Sequence, residues 1–240
     1  MKKSIFLSFL LAIAAISFLS AQDLDEILNN HFETIGQKNI LKVKTIQATG
    51  KASMMGMEAP FKIINKRPDM IKMIFEVQGS EIVTAYDGKT VWMINPMSGS
   101  AEPLDLTGPE ADGLIESGDT DGQLWNYKEK GHQLELDGTD DVDGTETFVL
   151  KLTKKNGNID YYYLEQESYL IIKIKSKTIM NGSEIEAEGL LSNYQEVEGY
   201  IMPFTTEQRV GGQTAMTIMI EEVKVNVELD DAMFSKPESN

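Results

Sequence analysis

Few side chains in this sequence are arranged in a pattern that supports catalysis. The 240 residues include no Cys, which excludes thiol catalysis, disulfides, bacterial lipid attachment and Cys-based metal sites. The two His, His31 and His132, are far apart, and neither belongs to a recognisable Ser–His–Asp arrangement. The many carboxylates do not single out a pair for glycoside hydrolysis. We therefore expect a protein that is not an enzyme, with a carboxylate-dependent secreted enzyme as an open alternative.

Two acidic stretches partly match a calcium-binding loop. Residues 141–144 (Asp-Val-Asp-Gly) match the middle of an EF-hand loop, but its first and twelfth positions would be Thr139 and Leu150. Residues 119–122 (Asp-Thr-Asp-Gly) fail in the same way. Both stretches are interpreted as acidic turns between strands, and no metal or other cofactor is expected.

The charge and the apolar content narrow the class of protein. The chain has 22 Lys and Arg against 38 Asp and Glu, a formal net charge of −16. An acidic surplus argues against a nucleic-acid partner, which would need basic side chains to replace the counterions of phosphate. With 41% hydrophobic residues, the chain can still bury a core.

The first 21 residues form a separate segment. A basic start at residues 1–3 precedes an apolar run over residues 4–20, and polar sequence begins at Gln22. This order predicts a secretory signal peptide over residues 1–21, although Leu19 replaces the small residue usual before the cleavage site. A transmembrane anchor is the alternative. Residues 22–240 are then expected to be one soluble, exported, periplasmic domain and a monomer.

The remaining sequence predicts one helix followed by a long antiparallel sheet. Apolar residues at helical spacing run from Leu24 to Ile35, and Gly36 would end this helix. Period-two alternation marks strands at 70–77, 184–191 and 221–229, with a bulge near 220–222. Turn dipeptides occur at Asp87-Gly88, Asn156-Gly157, Asn181-Gly182, Glu198-Gly199 and Gly211-Gly212. About ten or eleven strands are expected, with a second helix over 109–117.

Methionine is unusually frequent for such a sheet protein. Twelve of the thirteen Met fall after the predicted signal peptide. Because Met is flexible and polarizable, it can fill irregular gaps in a core or adapt to a flexible apolar ligand. Both interpretations remain open at this stage.

One block of sequence carries a resemblance to a known family. Lys66-Arg67-Pro68 precedes a strand, and residues 87–96 then read D-G-K-T-V-W-M-I-N-P. This order, with the signal peptide, the N-terminal helix and the meander, resembles the periplasmic LolA/LolB-like lipoprotein carriers over most of residues 22–237. The resemblance implies a mainly β fold with a few helices. In such a fold, a single curled antiparallel sheet forms an incomplete β-barrel that N-terminal and inserted helices close.

The same resemblance implies a function and candidate residues. It implies binding of lipoprotein acyl chains or another lipid, loading by an inner-membrane ABC transporter, and delivery to an outer-membrane acceptor. Arg67 would hold the lid helices by donating to their backbone carbonyls. The candidates for the apolar cavity wall are Ile71, Met73, Phe75 and Val77, with Trp92 and Ile94 as further contributors. Alternation groups the first four on one face, but it does not identify the concave face.

The sequence also departs from the family in its acidity, its Met content and a polar segment at 137–147. A non-enzymatic lipid-sensing or envelope-stress regulatory module on the same fold therefore stays an alternative.

Overall fold

The computed structural model describes residues 24–54, 56–180 and 183–238. The expected signal peptide, residues 1–21, and the turn at 181–182 lie outside these described residues. Helices are α1 (residues 24–34), α2 (Gln37–Ile40) and α3 (Pro109–Gly118), with short 3-10 turns at Pro96–Ser98 and Asp231–Met233. In the part of the chain that the structure describes, none of the helices has both the length and the hydropathy needed to cross a bilayer.

Thirteen strands follow one another along the chain. They are β1 (Thr45–Met54), β2 (Met57–Lys66), β3 (Met70–Val77), β4 (Ser80–Tyr86), β5 (Val91–Asn95), β6 (Ser100–Asp105), β7 (Gln133–Val142), β8 (Thr145–Thr153), β9 (Ile159–Glu165), β10 (Ile171–Met180), β11 (Ser183–Val197), β12 (Tyr200–Val210) and β13 (Gln213–Val225). The sequence predicted ten or eleven.

All thirteen strands form one antiparallel sheet in the order β6-β5-β4-β3-β2-β1-β13-β12-β11-β10-β9-β8-β7. The first and last strands of the chain therefore pair in the middle of the sheet. The two edges are β6 and β7, which are consecutive in sequence but do not pair with each other. This confirms the expected incomplete barrel, because the chain is mainly β and its strands form one continuous sheet that is not closed.

Irregularities in strand pairing fall along the curled sheet. Between β1 and β13, Thr49 pairs with Glu222 and Gly50 pairs with Ile220, so Glu221 is the extra residue of a bulge. The sequence predicted a bulge here. Gly50 is required at this position because a Cβ would lie 2.0 Å from the carbonyl oxygen of Met219. Such bulges bend a strand and increase its twist, which helps a sheet to curl.

We call the sheet face covered by the helices the inner face. Leu24, Ile27 and Leu28 of α1 are buried against side chains of β8 and β9, as the helical spacing predicted. These partners are Leu150, Leu152, Tyr162 and Leu164. The helix ends where the sequence predicted, since Gly36 has a left-handed φ of 70°.

Helix α3 covers the other half of the same face. Its buried residues Ala111 and Leu114 pack against Ile71 and Val91. The helix spans nearly the range predicted from the sequence. It approaches the β2–β3 turn closely, because a Cβ on Gly118 would lie 2.2 Å from the carbonyl oxygen of Asp69. The segment between β6 and β7 thus crosses from one open edge of the sheet to the other.

On the opposite face, here called the outer face, the C-terminal segment (residues 226–238) lies across β1 to β6. The indole nitrogen of Trp92 donates a 2.8 Å hydrogen bond to the carbonyl oxygen of Phe234, and both side chains are fully buried. Lys72 donates to the carbonyl oxygen of Met233 at 2.9 Å. The sheet therefore has apolar side chains buried on both faces over β3–β5.

Candidate ligand-binding face

The structure locates four of the six predicted wall residues on the inner face. Ile71 pairs with Asn65 and Tyr86, and its side chain is buried under α3. Met73, Phe75 and Val77 alternate with outward residues along the same strand and are only partly buried. The ring of Phe75 lies 6.0 Å from that of Phe61 on the neighbouring strand. Their predicted role in ligand binding stays a prediction.

Trp92 and Ile94 lie on the outer face, so grouping them with the other four was wrong. Trp92 pairs with Ala85, which pairs in turn with Lys72, and Lys72 alternates with Ile71 and Met73. Both side chains belong to an apolar cluster with Val83 and Ala85. They cannot line a cavity on the inner face.

The inner face remains apolar across the strands that separate α3 from α1. The pairing registers and the alternation of side chains bring several partly buried residues to this face. They are Ile46, Ile63, Met202, Ile218, Ile220 and Val223. The small side chains of Ala48 and Ala52 on β1 lie among them. The result is an apolar strip between the two helical covers, which sequence alternation alone predicted only in part.

Arg67 makes the contacts predicted for a residue that holds the helical cover. Its Nε donates to the carbonyl oxygen of Val43 at 2.6 Å, and its Nη2 donates to that of Ile40, the last residue of α2, at 2.9 Å. The same nitrogen forms an ion pair of 2.5 Å with Asp121, in the loop after α3. One guanidinium thus ties α2 to the α3 loop, as its planar set of donors allows. A latch role in ligand release remains a prediction.

The elbow, defined here as residues 35–43, is also bound to the start of β12. Ile201 donates its backbone N–H to the carbonyl oxygen of Ile35 at 2.9 Å. Asn39 donates its side-chain amide to the carbonyl oxygen of Gly199 at 2.6 Å. Gly36 fits against this turn because a Cβ there would lie 2.5 Å from the same carbonyl oxygen. The elbow therefore takes the place of a neighbouring strand at this end of β12.

A group of charged side chains, here called the polar seam, joins α3 and its loop to β8 and β9. Lys154 contacts Glu116 at 2.6 Å and Asp160 at 2.7 Å, and the Lys154 and Asp160 side chains are only 9% and 6% exposed. Burial by itself lowers the pKa of Lys154, but the two carboxylates raise it overall, so the ammonium form is retained. Lys130 pairs with Asp119 at 2.5 Å in the same loop. The Lys154 ammonium thus connects α3, which covers β3 and β5, to β9 near the other end of the open sheet.

The contacts of both His indicate structural roles. Nδ1 of His31 lies 2.8 Å from the carbonyl oxygen of Tyr169, and burial lowers the pKa of this His. The backbone N–H of Lys155 donates to Nδ1 of His132, so Nε2 carries the proton and donates to Gln123. Burial also lowers the pKa of His132, and nearby Lys130 adds to this. Among the hydrogen bonds of the described residues, none joins either His to a Ser or Thr hydroxyl that it could activate.

Two adjoining clefts lie between α1, the elbow and the 124–129 segment. Their volumes are about 450 and 640 Å³, and they share Asn29, Phe32 and Trp125. The rings of Phe32 and Trp125 meet edge to face at 5.0 Å, which closes the wall between the clefts. Gln37 and Asn39 line the larger cleft. No sequence pattern predicts this cleft, because its wall is built from three separate segments.

Solved structures share this fold at low sequence identity. A DUF1329 family protein from Desulfovibrio piger is 13% identical, with a TM-score of 0.60, over 87% of this chain and 97% of that protein. An outer membrane lipoprotein-sorting protein domain from Vibrio parahaemolyticus has a TM-score of 0.58 at 13% identity, over 84% of this chain and 95% of that domain. A LolA superfamily protein from Nitrosomonas europaea has a TM-score of 0.57 at 13% identity, over 85% and 96%. The sequence itself matches no protein-family model and no curated protein.

Proposed function

We propose that this chain, which has the fold of LolA superfamily and lipoprotein-sorting proteins, binds acyl chains of lipoproteins or another lipid on its inner face. The observation that carries the proposal is the apolar strip between α1 and α3, whose side chains are only partly buried. A folded protein normally covers such a strip unless a ligand or partner uses it. The residues that form its β3 part are Met73, Phe75 and Val77.

The energetics of an acyl chain fit a binding role without chemistry. Burying a chain contributes about 0.8 kcal/mol per CH₂, so exposing sixteen carbons to water costs on the order of 10 kcal/mol. A carrier must therefore enclose the chain, and it need not break any bond. We propose that the protein is not an enzyme, and that it acts as a monomer.

The carrier role has further parts. We propose export to the periplasm by residues 1–21, loading by an inner-membrane ABC transporter, and transfer to an outer-membrane acceptor. Cell fractionation of the full chain and of a form that lacks residues 1–21 tests the first part. Retention of both forms in the same fraction would contradict export by this segment.

A pair of matched variants tests binding on the inner face. Met73 and Met219 are both Met in the sheet, but the register aligns Met219 with Lys51 on the outer face, where it is exposed. In Met73→Glu, a carboxylate would lack a partner against the bound chain, and a fluorescent acyl probe should bind at least about tenfold more weakly. Met219→Glu should leave the affinity unchanged. Equal losses in both variants, at equal thermal stability, would rule out the inner face as the binding surface.

Native mass spectrometry of protein purified from its own cells separates this proposal from the regulatory alternative. Acyl-bearing species that are released only on denaturation support the carrier. A stable protein partner without lipid, together with no uptake of the acyl probe, would instead support a lipid-sensing or envelope-stress regulatory module.

A further inference from the structure

Four hairpin turns at one end of the sheet contain no charged residue. They are the turns that join β1 to β2, β3 to β4, β5 to β6 and β12 to β13. Successive turns of an antiparallel meander lie at alternate ends of a sheet, and the pairing of Ser53 with Thr217 puts the β1–β2 and β12–β13 turns at the same end. The four hairpins are neighbours in the sheet order. We call these four turns the uncharged rim.

The turns at the opposite end of the sheet are acidic. Five turns between strands lie there, and each contains at least one carboxylate: Asp69, Asp87, Asp143, Glu167 and Glu198. The whole chain has 38 Asp and Glu, so a random distribution would also place some of them in the turns of the rim. Exposed turns can carry charge at little cost, because water solvates it. The absence of charge from the four rim turns therefore requires an explanation.

The strand register aligns the tips of the rim. One row of paired residues crosses the sheet through Phe75, Phe61, Gly50 and Ile220. Beyond this row, three strands continue toward the rim by two, four and seven residues, to Val77, Met57 and Gln213 respectively. The tips thus advance by about one residue per strand, or about 3.4 Å along the strand for about 4.8 Å across it. This stagger corresponds to a tilt of about 40°, which is usual for barrel strands, so the tips lie together along one end of the curled sheet.

Apolar side chains project from three of the four rim turns. Among the described residues, half of the large apolar side chains that are exposed belong to the first or last residues of these hairpins or to the turns themselves. They are Met54, Met57, Met97 and Val210, each about half exposed. A Cβ added to Gly56, Gly79, Gly99 or Gly211 would lie more than 4 Å from every described atom outside the neighbouring residues. The rest of the described chain therefore leaves these tips uncovered.

This combination fits a lipid bilayer better than a protein partner. Groups that enter the acyl boundary of a bilayer must be uncharged, but they need no complementary shape, because lipid is fluid. Met suits such a role, since its flexible side chain adapts to irregular apolar surroundings. The β8–β9 turn lies at the same end and carries the exposed Lys155 but no carboxylate. A Lys at this level can extend its ammonium group to lipid phosphate.

We propose that the uncharged rim is a membrane-contact surface, whose hairpin tips enter the boundary between the headgroups and acyl chains of a bilayer. The acidic end of the sheet, with the elbow bound to it through Gly199, then points away from the membrane. The inference does not depend on the proposed acyl binding. If both are correct, one end of the apolar strip on the inner face opens toward the lipid.

Single labelled cysteines test this orientation, because the chain has no Cys of its own. Protein purified from its own cells carries an environment-sensitive NBD dye in Met57→Cys or Met97→Cys. The matched controls are Met219→Cys, at an exposed Met on the outer face, and Asp143→Cys, in an exposed turn at the acidic end. On addition of phosphatidylcholine vesicles, the emission of both rim labels should rise and shift to shorter wavelength, while both controls stay unchanged. Unchanged rim labels, or an equal change at residue 143, would overturn the proposal.

Sedimentation with the same vesicles measures the strength of the contact. The double variant Met54→Glu, Met57→Glu should bind about tenfold more weakly than the wild-type protein, because it loses two apolar contacts and brings charge to the bilayer. Met219→Glu should bind as the wild-type protein does. The rim side chains are exposed, so the double variant should keep the wild-type melting temperature and its affinity for the acyl probe.

The outcomes keep the two proposals apart. Equal binding of the double variant and the wild-type protein, or a response of the rim to a partner protein but not to pure lipid, would overturn the membrane contact and leave acyl binding intact. Failure of the acyl probe to bind would overturn the proposed function and leave the rim proposal standing.

Discussion

Replacing Arg67 by Leu should free the elbow without unfolding the sheet. The guanidinium donates to two backbone carbonyls of the elbow and pairs with Asp121. A hydrogen bond that involves a charged group contributes about 1.5–3 kcal/mol. The two carbonyl bonds share one side chain, so we take a loss of about 3 kcal/mol for their removal. Since 1.4 kcal/mol corresponds to a factor of ten, the elbow should open roughly 100-fold more often.

Hydrogen exchange measures this opening directly. The amide of Ile201 is bonded to the elbow, so its exchange should accelerate by about this factor, while the amides of β8 should change much less. Lys66→Met is the matched control. Lys66 also donates to a backbone carbonyl, that of Leu229, and pairs with Asp231, but it holds the C-terminal segment on the outer face. It should leave exchange at Ile201 unchanged.

Two results would refute this reasoning. Exchange at Ile201 could stay at the wild-type rate in Arg67→Leu, which would mean that the guanidinium does not hold the elbow. Alternatively, the amides of β8 could accelerate by the same factor, which would mean that Arg67 supports the whole fold. If the latch is real, a bound acyl probe should also dissociate faster from Arg67→Leu, while the denaturant midpoint moves little.

Three further predictions follow from the described contacts. Lys154→Met leaves Glu116 and Asp160 of the polar seam without their ammonium partner and should cost about 3 kcal/mol in urea unfolding, whereas Lys151→Met, at an exposed pair, should cost far less. Equal costs would contradict the buried seam. Because burial lowers the pKa of His31, the unfolded state binds protons first, so stability should fall as the pH drops below about 6.5. The fall should be smaller in His31→Gln, and an unchanged pH profile would argue against this origin. Gly36→Ala should lower the melting temperature more than Gly157→Ala, since both have positive φ but only Gly36 would meet a backbone oxygen; similar losses would remove the case for a close approach.

The elements were largely predictable from local sequence. The first helix and the bulge opposite Gly50 follow from periodicity, and a second helix was expected over 109–117; the structure confirms all three. These features depend on neighbours in sequence, such as the apolar spacing from Leu24 to Ile35 or the change of parity after Ile220. Patterns of this kind can be recognised in the sequence without knowledge of the fold.

The assignment of Trp92 and Ile94 failed for a physical reason. Strand β5 has apolar residues at four consecutive positions, so alternation does not mark either face as the core face. The outer face of β3–β5 is buried because the C-terminal segment lies on it. Alternation predicted that the last strand would run to residue 229, but β13 ends at Val225, and residues 230–238 show no period that would predict this contact. The hydrogen bond from the Trp92 indole to Phe234 joins residues that are far apart in the chain, so local sequence cannot predict it.

The partners of Arg67 were beyond the sequence as well. Asp121 belongs to a stretch that reads as an acidic turn, and only the fold brings it to the guanidinium. The two carbonyls that Arg67 holds, those of Ile40 and Val43, are backbone atoms that no side-chain pattern marks.

The pairing of β1 with β13 in the middle of the sheet governs the order in which the molecule can assemble. Strands β1–β6 and β7–β13 each form a meander of sequential hairpins, which close quickly because their contacts are local. Among the described strands, the two meanders are joined within the sheet only along β1 and β13, from the Ile46–Val225 pair to the Ser53–Thr217 pair. A chain that emerges from its N-terminus can therefore build half a sheet early. It cannot unite the two halves into one sheet until its last strand has arrived, so the joining of the halves is the slow, late step of folding.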